Sequence, residues 1–109
     1  MISEGQIVLF RFPQTNQQAG KLRPALVVRK LPGRYEDWLI SMVSSQLNQD
    51  IPGFDEIILP TDSDFRESGL KIASLIRIGR IAVVNADILL GSIGQISDTR
   101  LPKDQTETI

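Results

Sequence analysis

The segment Gly20-Lys21-Leu22-Arg23-Pro24-Ala25-Leu26-Val27-Val28 leads from a polar loop into an apolar strand. Proline fixes its own φ angle and disfavours the helical region for the residue before it. We therefore expect Arg23 to be extended where the loop becomes strand, so that its guanidinium points away from the sheet. A planar cation with several donors is well suited to binding a phosphate. The alternative, left open by this segment alone, is an arginine that merely decorates a strand end.

The composition is that of one small globular domain. A chain of 109 residues is long enough for a single core, and an apolar share of 41% argues against disorder. No apolar run is long enough to span a bilayer, and the first residues lack the basic and apolar stretches of a signal peptide. We therefore predict a cytoplasmic location without membrane association.

Two residue types are absent, and their absence excludes several classes of chemistry. The chain has no cysteine, so it cannot form a disulfide or a thiolate metal site. It has no histidine either, which excludes histidine-ligated zinc, nucleophiles paired with histidine and ribonucleases that use two histidines. Acid–base chemistry would have to use carboxylates, arginine, lysine or hydroxyl groups, and no metal or cofactor is predicted.

The charges are unevenly distributed, although the formal net charge is only −1. Residues 1–40 carry six cations and three anions, a balance of +3, whereas residues 41–75 carry two cations and six anions, a balance of −4. A cationic face of this size can attract a polyanion, but proteins that bind duplex nucleic acid usually carry a larger basic excess.

Short strands dominate the predicted secondary structure. Alternating and β-branched residues predict strands over residues 6–12, 24–30, 38–45, 54–59 and 91–96. Residues 71–84 are predicted to form one long strand or two joined by a bend, because Gly79 lies inside the pattern. One helical turn is predicted over residues 64–67, capped by Asp62 or Ser63 and closed by Gly69. We expect a mainly β fold with short helices, a small closed or half-closed antiparallel barrel.

Polar segments surround this predicted barrel. Residues 14–22 lack periodicity and are expected to form a mobile loop. Residues 1–97 are assigned to a single domain, and residues 98–109 to a polar, frayed C-terminal tail.

Three segments together resemble the PemK/MazF family of toxins from bacterial toxin–antitoxin systems. They are Gly5-Gln6-Ile7-Val8, the Arg23-Pro24 strand entry with its loop, and the strand exit Val43-Ser44-Ser45-Gln46. Ser68-Gly69-Leu70 and Leu75-Ile76-Arg77-Ile78 extend the resemblance, which covers about residues 4–97. It implies an SH3-like barrel of the plasmid-maintenance toxin type, a homodimer, metal-independent cleavage of single-stranded RNA such as mRNA, and an acidic antitoxin as partner.

The resemblance also implies roles for individual residues. The family's catalytic arginine corresponds to Arg23 and its catalytic threonine to Ser44. In such enzymes the ribose 2′-hydroxyl attacks the adjacent phosphate, which leaves a 2′,3′-cyclic phosphate and a 5′-hydroxyl. A fixed guanidinium would stabilise the charge that develops on the phosphoryl oxygens, and a hydroxyl could donate to the same group. The residues predicted to bind RNA are Lys21, Ser45, Gln46 and Arg77.

The sequence departs from the family pattern in two places. Serine stands at position 44 instead of threonine, which keeps the hydroxyl but loses the methyl group that restricts χ1. Ser74 stands where some members have an acidic residue, so the general base stays open among four carboxylates: Glu4, Glu36, Asp37 and Asp55.

Several candidate residues also have structural interpretations. Arg77 could pair with a carboxylate across the barrel, and Ser44-Ser45 could simply end a strand. Phe12, Tyr35 and Trp38 could stack on bases, but Trp38 shares its row with Ile40 and Met42, which favours the core. The acidic residues Asp62, Asp64 and Glu67 lack the spacing of a calcium loop and are interpreted as solvated capping charges.

Two further functions compete with the ribonuclease. The first is a non-catalytic barrel that binds an antitoxin, RNA or a protein target such as a topoisomerase. The second is an SH3-like adaptor for proline-rich peptides, which is disfavoured because six aromatic residues are too few to line such a groove.

Overall fold

The computed structural model describes residues 2–11 and 22–97, which form one antiparallel sheet with short helical turns. The strands are β1 (Gln6–Arg11), β2 (Leu22–Lys30), β3 (Asp37–Ser44), β4 (Glu56–Ile58), β5 (Ser74–Asn85) and β6 (Gly91–Gln95). The helical elements are α1 (Phe65–Ser68) and two 3₁₀ turns, Leu47–Gln49 and Ala86–Ile88. The strand order across the sheet is β4-β5-β3-β2-β1-β6.

The sheet curls into a half-barrel, as its core shows. Ile58 lies on edge strand β4 and Ile96 directly follows the opposite edge strand β6, yet both belong to one buried cluster with Ile7, Leu26 and Ile76. Two edges can share a core only if the sheet bends toward itself, which burial of apolar surface favours. The prediction of a mainly β, half-closed antiparallel barrel is therefore confirmed.

A second buried cluster covers the other face of the sheet. It contains Val8, Phe10, Val27, Trp38 and Ile40, against which Met42 packs. These residues alternate with those of the first cluster along β1, β2 and β3, as the two-residue period of a strand requires. Trp38 is buried, so its assignment to the core is confirmed.

The predicted strands are all present, with different ends. The second begins at Leu22 instead of residue 24, so Arg23 lies within β2, and the fourth is shortened to Glu56–Ile58. Strand β5 is a single element with an irregularity near the predicted bend at Gly79. Its register with β3 jumps from Met42↔Arg77 to Ser41↔Ile81, which leaves three residues of β5 without partners on β3.

At the corner between α1 and β6, the predicted helix cap and the predicted solvated charges are partly wrong. Gly69 ends the helix with a left-handed φ of 76°, as expected, but the residue at the N-cap is Asp64 and it makes no capping hydrogen bond. Asp64 is buried, and its Oδ2 accepts a hydrogen bond from the backbone N–H of Ser97 at 3.0 Å. Asp64 is therefore not a solvated charge, because it ties α1 to the chain that follows β6.

Two predicted segments fall outside the described residues. They are most of the polar loop at residues 14–22, of which the structure describes Leu22 alone, and the C-terminal tail at residues 98–109. In the described part of the chain, no helix has the length and apolar character needed to cross a membrane.

Candidate functional site

The register of β2 and β3 brings Arg23 and Ser44 to the same end of the sheet. The strands are antiparallel, with Ala25 opposite Met42 and Val27 opposite Ile40. The paired residues end at Ala25 and Met42, and Arg23 and Ser44 each lie two residues beyond this pair, on the face that carries Ala25 and Met42. The two predicted catalytic residues therefore share one face at one end of the sheet.

The local sequence explains how Arg23 is presented. Pro24 follows it, which keeps Arg23 extended within β2. On the other side of β2, Arg23 pairs with the buried Phe10 of β1. The Arg23 side chain is exposed, and within residues 2–11 and 22–97 no group forms a hydrogen bond or ion pair with it. Its donors are accordingly available to an anion from solution.

Ser44 has a hydroxyl whose acceptor side is already in use. Its Oγ accepts a hydrogen bond from the backbone N–H of Gln46 at 3.0 Å, a local turn typical of serine at the end of a strand. A hydroxyl can donate one hydrogen while it accepts. The hydroxyl hydrogen of Ser44 therefore remains able to bind an oxygen atom placed between Ser44 and Arg23.

The turn after Ser44 exposes further polar groups. Ser45 and Gln46 are both exposed, and Gln46 stands at the start of the 3₁₀ turn Leu47–Gln49. The carbonyl of Ser45 accepts from the N–H of Leu47 at 3.1 Å, and that of Gln46 accepts from the N–H of Gln49 at 3.1 Å. Backbone bonds thus hold this turn while the side chains of Ser45 and Gln46 face solvent.

Arg77 approaches from β5, on the other side of β3. It lies opposite Met42, so it shares the face of Ser44 and stands diagonally from it, about 7 Å away by sheet geometry. Its Nε lies 3.9 Å from Oδ2 of Asp55, and its Nη1 donates to Oε1 of Gln49 at 2.6 Å. The predicted carboxylate partner therefore exists, and it is Asp55.

Most of the remaining predicted residues lie either outside the described chain or away from the site. Lys21 lies outside the described residues. Glu4 is adjacent to Gly5, whose N–H binds the carbonyl of Val27, four residues or about 13 Å along β2 from Arg23. Glu36 and Asp37 lie at the start of β3, about 23 Å along the strand from Ser44. These three carboxylates are therefore remote from the site.

Asp55, the fourth candidate base, is close to the site but fully engaged. Its Oδ1 accepts from the N–H of Ile78 at 3.0 Å and its Oδ2 from the N–H of Ile51 at 3.1 Å. Only 1% of its side chain is exposed. A buried carboxylate with both oxygens bound is poorly placed to take a proton from a substrate.

Two residues that lie next to the site arginines were not predicted from the sequence. Phe10 lies beside Arg23, a contact that required the register of β1 with β2. Gln49 binds Arg77 across 28 residues, for which the sequence carries no local signal.

Of the other aromatic candidates, Tyr35 is exposed in the turn between β2 and β3, at the end opposite Ser44, and Phe12 lies outside the described residues. No group of three or more metal-ligating side chains occurs in the described part of the chain.

The fold and the site define a class of protein, a small β half-barrel with exposed cationic and hydroxyl groups at one end of its sheet. A family model described as PemK-like, MazF-like toxin of type II toxin-antitoxin system matches residues 3–105. Because this match spans nearly all of the 109 residues, the chain belongs to that family. A toxin of such a system has an antitoxin as its partner. No curated protein matches the chain.

Proposed function

We propose that this toxin is a metal-independent endoribonuclease that cleaves single-stranded RNA such as mRNA in the cytoplasm. The 2′-oxygen attacks the adjacent phosphorus and forms the new P–O2′ bond, while the P–O5′ bond breaks. The 2′-hydroxyl loses a proton and the departing 5′-oxygen gains one. The products are a 2′,3′-cyclic phosphate and a 5′-hydroxyl, and the reaction needs no metal.

The observation that carries this proposal is that Arg23 and Ser44 lie on the same face at the same end of the sheet. The register of β2 with β3 supports a shared cleft for the two side chains, in which Arg23 has no described partner and Ser44 keeps its hydroxyl hydrogen. In the proposed mechanism both groups donate to the non-bridging oxygens, which gain negative charge in the transition state. Ser44 keeps the hydroxyl of the threonine that is usual in the family.

RNA binding is assigned to the groups around this pair of residues. Ser45 and Gln46 are exposed beside Ser44, and single-stranded RNA offers them base edges and 2′-hydroxyls. Arg77 supplies a second cation on the same face, and Lys21 adds attraction for phosphates near Arg23. The antitoxin is proposed to be an acidic segment that covers this surface and competes with RNA for the same cations.

The activity is tested by incubating the purified protein with a long unstructured RNA in the presence of EDTA. We expect discrete fragments that polynucleotide kinase labels without prior phosphatase treatment, because their 5′ ends carry hydroxyls. DNA of the same sequence is the matched control, and it should stay intact because it lacks the attacking 2′-hydroxyl. Intact RNA after incubation with folded protein would contradict the proposal.

One observation favours a second function, a non-catalytic module that binds RNA or the antitoxin. Of the four carboxylates considered as general base, three are remote from Ser44 and Asp55 is engaged by two backbone N–H groups and Arg77. In the same experiment, RNA that is retarded in a gel but not cleaved would support this binding module.

We also propose a homodimer whose interface includes the outer half of β5. Strand β4 pairs only with Ser74–Ile76, and no described strand covers the outer side of β5 beyond it. Ile81 and Val83 in this half are 44% and 55% exposed. Val83→Glu should therefore yield a monomer by light scattering, whereas Ile72→Glu, a control exposed elsewhere, should leave the mass unchanged. A dimeric Val83→Glu protein would contradict this interface.

A further inference from the structure

Asp55 is the most deeply buried carboxylate near the site, although it stands in a loop at the edge of the sheet. Its side chain is 1% exposed, and burying a charge is costly unless partners compensate it. Three groups do so: the N–H of Ile51, the N–H of Ile78 and the guanidinium of Arg77. The carboxylate thus joins the loop between β3 and β4 to strand β5.

The position of Asp55 in the sheet explains this set of partners. Strand β4 pairs with β5 through Glu56↔Ile76 and Ile58↔Ser74, so Asp55 stands next to Arg77 in the same register. Where the β4 ladder ends, the side chain of Asp55 replaces a backbone acceptor for the N–H of Ile78. The same carboxylate binds the N–H of Ile51 and thereby closes the loop 51–55 on itself.

Arg77 is oriented by Asp55 and Gln49 and has further hydrogen-bond donors. Its Nε faces Asp55, and its Nη1 donates to Gln49. A guanidinium carries five N–H donors, and in the described chain Nη2 has no hydrogen-bond partner. The Arg77 side chain is 18% exposed, so these donors can reach a ligand at the surface.

Phe54 holds the same loop against β5 by packing. A Cβ atom at Gly79 would come within 3.0 Å of Cε2 of Phe54, so the ring occupies the space that a side chain at residue 79 would need. The loop that carries Gln46 and Gln49 therefore contacts β5 at two points, one polar at Asp55 and one apolar at the half-exposed Phe54.

We infer that Asp55 is a positioning residue for RNA binding. Its ion pair with Arg77, 3.9 Å from Oδ2 to Nε, orients the guanidinium, and the hydrogen bond it accepts from the N–H of Ile51 fixes the end of the loop that begins near Gln46. The donors of Arg77 and the exposed Gln46 can then meet the RNA strand without reorganisation. Preorganised donors bind an anion more tightly than mobile ones because less side-chain entropy is lost on binding. The inference rests on the proposed function, since it takes RNA as the ligand of this face. It assigns Asp55 to binding and leaves the proton transfer to another group.

The test measures binding and cleavage separately. Binding is followed by the anisotropy of a fluorescein-labelled, fully 2′-O-methylated RNA of mixed sequence, which cannot be cleaved. Cleavage of the corresponding unmodified RNA gives kcat and KM. The variants are Asp55→Asn, Arg77→Ala, the double variant, and Asp62→Asn as matched control. Asp62 also accepts a backbone hydrogen bond, from Leu59 at 2.8 Å, but it lies in the turn after β4.

We expect Asp55→Asn to raise Kd and KM about fivefold to tenfold and to leave kcat within about twofold. In the Arg77→Ala background the same substitution should add nothing, because Asp55 acts through Arg77. Asp62→Asn should bind like the wild type. An unchanged Kd in folded Asp55→Asn protein, or an equal loss in the Arg77→Ala background, would overturn the inference.

A second variant covers the case in which Asp55→Asn fails to fold. Gln49→Ala removes an exposed side chain that also holds Arg77, and it should raise Kd about threefold, again only when Arg77 is present. No change in that variant would overturn the inference. Wild-type protein that binds the methylated RNA but leaves unmodified RNA intact would refute only the proposed ribonuclease activity. The Kd values of the variants would then test the role of Asp55. Wild-type protein that binds neither RNA would refute both.

Discussion

Two regions differ in how closely their groups are packed: the end of the sheet that carries Arg23 and Ser44, here called the site end, and the corner between α1 and β6. At the site end, Arg23 is exposed without a described partner and Ser44 has a hydroxyl with a free donor. At the corner, the backbones of α1 and β6 approach closely because Gly69 and Gly94 have no side chain. A Cβ atom at either position would overlap the opposing backbone. Substitutions at the corner should therefore change stability, and those at the site end should change activity.

The largest effect is expected at the corner, from Gly94→Ala. A Cβ atom at residue 94 would overlap the carbonyl oxygen of Glu67 and the backbone of Ser68, which cannot move without displacing α1. We expect a loss of roughly 3 kcal/mol or more in the free energy of unfolding, measured by urea denaturation.

The control for this variant is Gly53→Ala. Gly53 also has a special backbone, with φ of 78°, but a Cβ atom there meets open space. Its substitution should cost only about 1 kcal/mol, from the positive φ alone. If Gly94→Ala were no more destabilising than Gly53→Ala, the backbones at the corner would not be rigidly packed.

A smaller effect is expected from Ser44→Ala, and it should appear in activity. Loss of the hydroxyl removes one donor to the phosphoryl oxygens, so kcat for RNA cleavage should fall roughly 100-fold while the melting temperature stays near that of the wild type. Ser44→Thr keeps the hydroxyl and should stay within about threefold of the wild type. Equal activity of the alanine and threonine variants would show that the hydroxyl has no role.

The smallest effect is expected from Gln46→Ala. The backbone N–H of residue 46 still binds Ser44 in this variant, so the geometry of the hydroxyl is kept. Only the exposed side chain is lost, and we expect KM to rise about threefold with kcat unchanged. A large fall in kcat would instead mean that Gln46 takes part in the chemistry.

Local signals in the sequence predicted most of the fold. Alternating and β-branched residues indicated the strands that the structure describes, and Gly69 marked the end of helix α1. The fold also depends on contacts between distant residues, and these have no local signal. The carboxylate of Asp64 accepts a hydrogen bond from the backbone N–H of Ser97, which is 33 residues away, instead of capping its own helix. The glycine at 94 indicates a close backbone approach, but not that α1 makes it.

The roles of Arg23 and Ser44 stay predictions, drawn from the Arg-Pro pair and from the family resemblance. The alternation along β3 explains why Trp38 belongs to the core. The neighbours of Arg77 could not be deduced, because Asp55 and Gln49 reach it only through the pairing of β4 with β5 and the short 3₁₀ turn. Side-chain partners across strands depend on register, which no single segment encodes.

We propose that the Arg23 side chain stabilises the transition state of RNA cleavage and that the fold does not depend on this side chain. The most direct measurement compares the RNA cleavage rates of Arg23→Ala and Arg34→Ala, since Arg34 is an equally charged, exposed residue in the turn at the other end of β2. We predict that Arg23→Ala lowers the cleavage rate by about 10²–10³-fold, which is typical for the loss of one such hydrogen-bond donor. The melting temperature should stay that of the wild type. The rate of Arg34→Ala should match the wild type. Undiminished cleavage by folded Arg23→Ala protein would contradict this role of Arg23.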